Sequence, residues 1–378
     1  MSSYLYYPGC SMEGSGRSYR ESLEGVLEPL GISLEEIDDW NCCGATEYVS
    51  LSTTPAYAMI ARNLAIAAGE KKNGEALVAA CSACYLNLAK ADHYMGEQPA
   101  LNARVNDALG AGGLHYDPGT LKVRHLLEVI LTDVGLDKVR AAVKKPLTGL
   151  KVAPYLGCMV PRPDVDGAYA DHEQPKSLDM LLKALGAEVV DYPLRTECCG
   201  GHMNQIAPKV GLELVRRLVS EAERLEAVMM VTVCPMCQIN IDAYQGEMNA
   251  MFHTHHKMPI VFFTQLMGVA FGLEPKKLGI GREYTNASKT LAKALKAAPE
   301  LALAAAGAAP AHRPRPDKRA LPMPRMADSE VEECPPSTTT SRSRENLPPD
   351  CRRPARSGSA STSATAGAIS PASSTSPR

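Results

Sequence analysis

The sequence carries no excess of either charge. Its 40 Lys and Arg stand against 42 Asp and Glu over 378 residues, a formal net charge of −2, which offers no electrostatic handle for nucleic acid. It has no uninterrupted apolar run of roughly 18 residues, so no transmembrane segment is expected. The most apolar stretch, Pro259 to Leu273, is broken by Thr264 and Gln265 and reads as a buried core helix. Residues 1–9 contain neither a basic n-region nor an apolar h-region, which sets aside a secretory leader and implies a cytoplasmic location. Thiols stay reduced there, so cysteines point to metal or redox centres in preference to a disulfide framework. Two further absences bear on electron entry. There is no C-x2-C-x2-C run of the bacterial-ferredoxin kind and no G-x-G-x-x-G flavin fingerprint, Gly14-Ser15-Gly16 being too short and too near Cys10.

Cysteine is what the chain does have. Ten of its 12 cysteines fall into one pattern written twice. The first copy is Cys10, the vicinal pair Cys42-Cys43 and then Cys81 and Cys84; the second is Cys158, Cys198-Cys199 and then Cys234 and Cys237. Each pair is followed by glycine, Gly44 or Gly200. Corresponding positions are separated by 148 residues (10 to 158), 156 (42 to 198) and 153 (81 to 234), an internal duplication of domain size. The flanks repeat as well: Tyr6-Tyr7-Pro8-Gly9-Cys10 mirrors Tyr155-Leu156-Gly157-Cys158.

Each half reads as α/β. Strands are expected at Ser3 to Tyr7 and Lys151 to Leu156, running into the lone cysteines, and at Leu34 to Ile37 and Glu188 to Tyr192, leading towards the vicinal pairs. A helix is expected from Arg17 to Leu30, stopped by Gly31. Thr54-Pro55 is expected to open another, reaching Ala68, with a counterpart from Pro208 to about Glu226. Alternating strands and helices favour parallel sheets, whose sites lie at strand carboxyl ends, and every cysteine group sits at such an end. The polar segment from Glu97 to Pro118 is expected to be an irregular excursion. The expected organisation is a first domain at 1–147, a second at 148–292 and a tail at 293–378. The tail turns from Ala-rich to Pro-, Arg-, Ser- and Thr-rich, has no aromatic residue and is expected to be disordered. Cys334 and Cys351 fall in it and are not counted as ligands.

Five thiolates per set exceed the four that a tetrahedral zinc accepts, which points to iron and sulfur. Gly44 and Gly200 let the backbone pass close to a bulky centre, and Gly9 and Gly157 do the same beside the lone cysteines. On these ten cysteines and two CCG patterns, residues 1–290 resemble the B-subunit family of heterodisulfide reductases. The resemblance implies two homologous CCG domains with short parallel sheets flanked by helices. It also implies two noncubane 4Fe-4S clusters, one held by Cys10, Cys42, Cys43, Cys81 and Cys84, the other by Cys158, Cys198, Cys199, Cys234 and Cys237. In that family a disulfide binds between the clusters and is split by two electrons, each sulfur being captured by an iron. The substrate implied is a disulfide, a persulfide or a lipoyl-type carrier. Two partner subunits, one small and ferredoxin-like (the C component) and one flavin-containing (the A component), would supply the missing electron entry.

Other signals are weaker. His202, close behind Cys198-Cys199-Gly200-Gly201, is a candidate proton donor to a departing thiolate, against the plainer role of a backbone hydrogen bond. Arg162 and Arg195 suit an anionic substrate group, though surface arginines explain them more simply. His253, His255 and His256 look like a metal tract without accompanying ligands and are expected in a solvated loop. Two rival functions remain open at this point. One is an electron-transfer CCG subunit relaying electrons from a dehydrogenase to a quinone; the other is a zinc-bound scaffold without redox activity, which leaves one thiolate over in each half.

Overall fold

The computed structural model describes residues 2–45, 48–71, 75–162 and 171–296. The expected tail is outside the described residues beyond 296, and Cys334 and Cys351 with it. In the first half the elements are β1 (Ser2–Tyr7), α1 (Arg17–Leu30), β2 (Ile32–Glu36), α2 (Tyr48–Leu51), α3 (Thr53–Glu70), β3 (Leu77–Ala79), α4 (Ser82–Glu97), α5 (Pro99–Gly110), β4 (Val123–His125), α6 (Leu126–Val129) and α7 (Leu136–Ala142). The second half continues with β5 (Lys151–Tyr155), α8 (Ser177–Ala184), β6 (Glu188–Val189), α9 (Met203–Ile206), α10 (Pro208–Arg224), β7 (Met229–Thr232), α11 (Pro235–Ala243), α12 (Gln245–Phe252), β8 (Ile260–Phe262) and α13 (Phe263–Ala270). Residues 287–296 are helical again.

The mixed α/β class holds, and the duplication is visible in the topology. One four-stranded sheet has the order β2-β1-β3-β4 and the other β6-β5-β7-β8, all pairs parallel. In each sheet the chain leaves the first strand to one side and returns on the other. The switch point therefore falls between β1 and β3, and between β5 and β7. A crevice opens there outside the carboxyl ends, the place where parallel sheets present ligand sites. Cys10 follows β1 and Cys81 follows β3; Cys158 follows β5 and Cys234 follows β7.

Local rules account for most of the boundaries. Gly31, at φ +64°, takes the left-handed conformation that ends α1, and Pro208 and Pro235 open α10 and α11 where a missing N–H costs nothing. Helix α3 opens earlier than expected, at Thr53 with Ser52 before it. Strand β6 is two residues long, shorter than the Glu188 to Tyr192 expected. Val190 N–H still donates to Val152 O (3.0 Å), but Pro154, two residues on along the same edge, has no N–H to extend the ladder. The stretch Pro259 to Leu273 is not one helix: β8 enters the sheet beside β7 before α13 begins. The Glu97 to Pro118 excursion contains the regular helix α5, which buries Leu101, Val105 and Leu109 on one face.

Both faces of the strands are covered, as parallel sheets require. Along β1, Leu5 and Tyr7 point to one apolar layer and Tyr4 and Tyr6 to another. The second layer joins the halves: α1 packs on α13, and Ser22 Oγ lies 2.7 Å from Thr264 Oγ1 in its interior. Tyr19 of α1 stacks on Phe262 with ring centroids 4.4 Å apart. Its buried hydroxyl reaches Ala80 O (3.1 Å) and Val233 O (3.4 Å), the carbonyls just before Cys81 and Cys234. One tyrosine thus ties together the two strand ends that carry the CxxC motifs.

Candidate metal centres

Each set of five cysteines converges. In the first, Cys42 Sγ lies 3.6 Å from Cys10 Sγ and Cys43 Sγ lies 3.5 Å from Cys84 Sγ. In the second, Cys158 and Cys198 act on each other's acidity, and Cys199 and Cys234 both act on that of Cys237. The sets also meet each other, because Cys81 and Cys234 lie close enough across the seam for each to shift the other's acidity. Cys10, Cys42 and Cys198 are exposed, Cys158 is half-buried and the other six are buried. All five thiols of the second set line a cavity of about 200 Å³, together with Met159, Met236, His202 and Ser82.

Matched devices hold both sets. Each CxxC opens a helix, with Cys81 and Cys234 at the N-cap of α4 and α11, where the helix dipole favours negative sulfur. Gly9 stands at φ +75°, and a Cβ there would lie 2.8 Å from Cys84 Sγ; at Gly157, φ +72°, it would lie 3.1 Å from Cys237 Sγ. Gly44 and Gly200 serve a conformational need, positive φ, and their amides point at Cys42 Sγ (3.4 Å) and Cys198 Sγ (3.3 Å). Beneath them Tyr7 donates to Asn41 O and Tyr155 to Glu197 O, each at 2.7 Å, pinning the residue before the vicinal pair. Asn87 donates to Cys43 O (3.1 Å), and Asn240 donates to Cys199 O. The two asparagines stand three residues beyond the second CxxC cysteine in each half, a signal that the sequence repeats as C-x-x-C-x-x-N.

The comparisons with known proteins point the same way. The cysteine-rich domain family CCG matches residues 4–89 and again 152–242. The chain is 33% identical over 286 residues to a Wolinella succinogenes protein named 8-methylmenaquinol:fumarate reductase membrane anchor subunit, covering 76% of this chain and 98% of the relative. It is 32% identical over 285 residues to a protein of Archaeoglobus profundus named as like the B subunit of heterodisulfide reductase, covering 74% of this chain and 93% of the relative. The chain belongs to the B-subunit family of heterodisulfide reductases. A solved hypothetical protein from Helicobacter pylori shares the fold at TM-score 0.59 and 16% identity, over 75% of this chain and 52% of that one. The chain therefore spans about half the length of that solved relative.

The donor set of this family member fits iron–sulfur chemistry. Thiols this close cannot all ionise without a positive centre between them. The pattern of acidities shows the strain: S–H donation from Cys42 and then Cys84 holds the Cys43 thiol down at about 3, while Cys42 itself is pushed up. Donation from Cys158 lowers Cys198 to about 6, and donation from Cys237 and then Cys81 holds Cys234 far below the usual range. Among the described residues no group of three His, Cys, Asp or Glu side chains is placed to hold a single metal ion. The second set's thiols surround a void, the arrangement a multi-atom centre needs. No helix among the described residues is long and apolar enough to cross a membrane.

The remaining candidates sort differently from expectation. Arg195 is not a surface residue. It is 0% exposed, with Nη1 bidentate to Asp179 (both contacts 2.7 Å), Nη2 to Asp191 (2.9 Å) and Nε to Tyr192 O (2.9 Å). Its own carbonyl accepts the N–H groups of Leu156 (2.9 Å) and Gly157 (3.0 Å), so it anchors both the approach to Cys158 and the loop of Cys198. Arg162 binds Glu173 (2.6 Å) and Thr196 (3.1 Å). His202 lines the second cavity. His256 is bound rather than solvated, between Glu223 (2.6 Å) and Ser220 (3.1 Å), and His253 closes α12 at φ +54°.

Proposed function

We propose that the chain is the iron–sulfur subunit of a heterodisulfide-reductase-like complex that cleaves or forms a disulfide or persulfide bond, a lipoyl-type carrier being a further substrate. The observation that carries this reading is the doubled set of five thiols meeting at Cys81 and Cys234. Cleavage of R–S–S–R′ consumes two electrons and two protons and yields two thiols, so two adjacent one-electron centres suit it better than one. Cys10, Cys42, Cys43, Cys81 and Cys84 would hold one noncubane 4Fe-4S cluster, and Cys158, Cys198, Cys199, Cys234 and Cys237 the other. Such clusters supply one-electron redox and Lewis acidity when bound.

The protein's own groups do the rest. The exposed side of the sets, at Cys10, Cys42 and Cys198, is where a substrate arrives. The amides of Gly44 and Gly200 steady the outer sulfurs, and His202, at the mouth of the second set, donates a proton to a departing thiolate. A ferredoxin-like partner and a flavin-containing partner bring electrons, and the complex works in the cytoplasm, where thiols stay reduced.

A second reading is favoured by the Wolinella relative, whose name places it with a menaquinol:fumarate reductase. There the same two centres would relay electrons between a quinol and a dehydrogenase partner. Anaerobic protein reduced with a viologen dye separates the two. Dye oxidation with matching release of thiol on adding a disulfide supports the first reading. Oxidation by a naphthoquinone alone, with no thiol released from any disulfide or persulfide, sinks it in favour of the second.

A further inference from the structure

The two sets are near copies, so a polar group present on only one side of the seam acts on one set alone. The main-chain donors are matched at Gly44 and Gly200, and the amide ties are matched at Asn87 and Asn240. The residue after the first cysteine of each CxxC is not matched: it is Ser82 in one half and Pro235 in the other. Ser82 is 1% exposed, and its hydroxyl finds no hydrogen-bond partner among the described residues. It lines the cavity of the second set, which Cys234 also lines, and not its own. Pro235 has neither a hydroxyl nor an N–H to offer Cys81 in return.

We propose that the Ser82 hydroxyl donates across the seam to the sulfur of Cys234 and makes the centre of the second set easier to reduce than that of the first. This rests on the iron–sulfur reading above. A donor aimed at a ligand sulfur stabilises the extra negative charge of the reduced state, and hydrogen bonds to sulfur are among the factors that set cluster potentials. Only the change in that hydrogen bond between the two oxidation states counts. The expected effect is about tenfold in the one-electron equilibrium, or about 59 mV. The first of two electrons then settles on the second set.

Redox titration followed by electron paramagnetic resonance on the intact complex tests this, alongside iron and sulfide analysis. Ser82→Ala should lower the higher of two midpoint potentials by about tenfold in the equilibrium and leave the lower one in place. Ser82→Thr, which keeps the hydroxyl, should retain the higher value. Pro235→Ser, which adds a hydroxyl at the position equivalent to Ser82, should raise the lower one. If Ser82→Ala keeps its iron and moves neither potential, or moves both equally, the assignment to Ser82 is wrong and the iron–sulfur reading survives. If the unaltered complex holds no iron and sulfide, the reading falls and this inference with it.

Discussion

Replacing Asp179 with alanine should cost the protein its second centre, although Asp179 is not itself a candidate ligand. The carboxylate is 4% exposed and holds the fully buried Arg195 guanidinium through two 2.7 Å contacts. Removing it leaves a buried charge whose one remaining carboxylate, Asp191, is largely in water. Breaking one partner of such a pair costs about 3–5 kcal/mol, which corresponds to a fall in melting temperature of roughly 6–20 °C for a chain of this class. Arg195 also carries the N–H groups ahead of Cys158 and stands three residues before Cys198. The disturbance therefore reaches two of the five thiols, and iron content should drop by about half. Calorimetry and iron analysis on the same preparation read both effects. The paired substitution Asp179→Leu with Arg195→Met, which removes the charge along with its partner, should recover most of the stability. An Asp179→Ala protein that melts within about 2 °C of the original and keeps all its iron would refute the anchoring role.

Gly9→Ala should destabilise the first half by about 1–3 kcal/mol and empty its centre, since a methyl there meets Cys84 Sγ from a backbone at φ +75°. Gly246→Ala, in helix α12 and facing open space, is the control, and iron analysis distinguishes them. Asn240→Ala should cost about 1–3 kcal/mol in urea unfolding by stranding the Cys199 carbonyl, with Asn87→Ala giving a similar loss through Cys43; a loss near zero at both would remove the asparagines from the site. Burial lowers His125 to about 4 from an ordinary 6.5, so the folded protein holds it neutral while the unfolded chain protonates it first. Its contribution is complete above pH 6.5 and is lost as pH falls towards 4, up to about 3 kcal/mol. His125→Phe, which copies Phe262 at the equivalent sheet position, should flatten that part of the stability curve, and an unchanged slope between pH 7 and 4.5 would contradict it.

The duplication and the strand-end position of each cysteine group could be read directly from spacing, because strands alternating with helices leave few topologies open. Gly31 and Pro208 marked helix ends through conformations that few other residues favour. What stayed hidden depends on partners distant in the chain. Arg195 looks like a surface arginine until Asp179, on helix α8, is placed against it. Strand β8 is three residues long inside an apolar run, too short for periodicity to separate it from the helix that follows. Helix α5 did leave a signal, Leu101, Val105 and Leu109 four apart, hidden by its polar surroundings. Tyr7, Tyr155, Asn87 and Asn240 were visible as repeats, but their work, bonding the carbonyls beside the vicinal pairs, emerges only once the halves fold.

Iron and acid-labile sulfide counted on anaerobically isolated protein test the central claim most directly. Two centres held by ten cysteines predict about eight iron atoms with matching sulfide per chain, and about half of both after Cys198→Ser. Stoichiometric zinc with neither iron nor sulfide would contradict it.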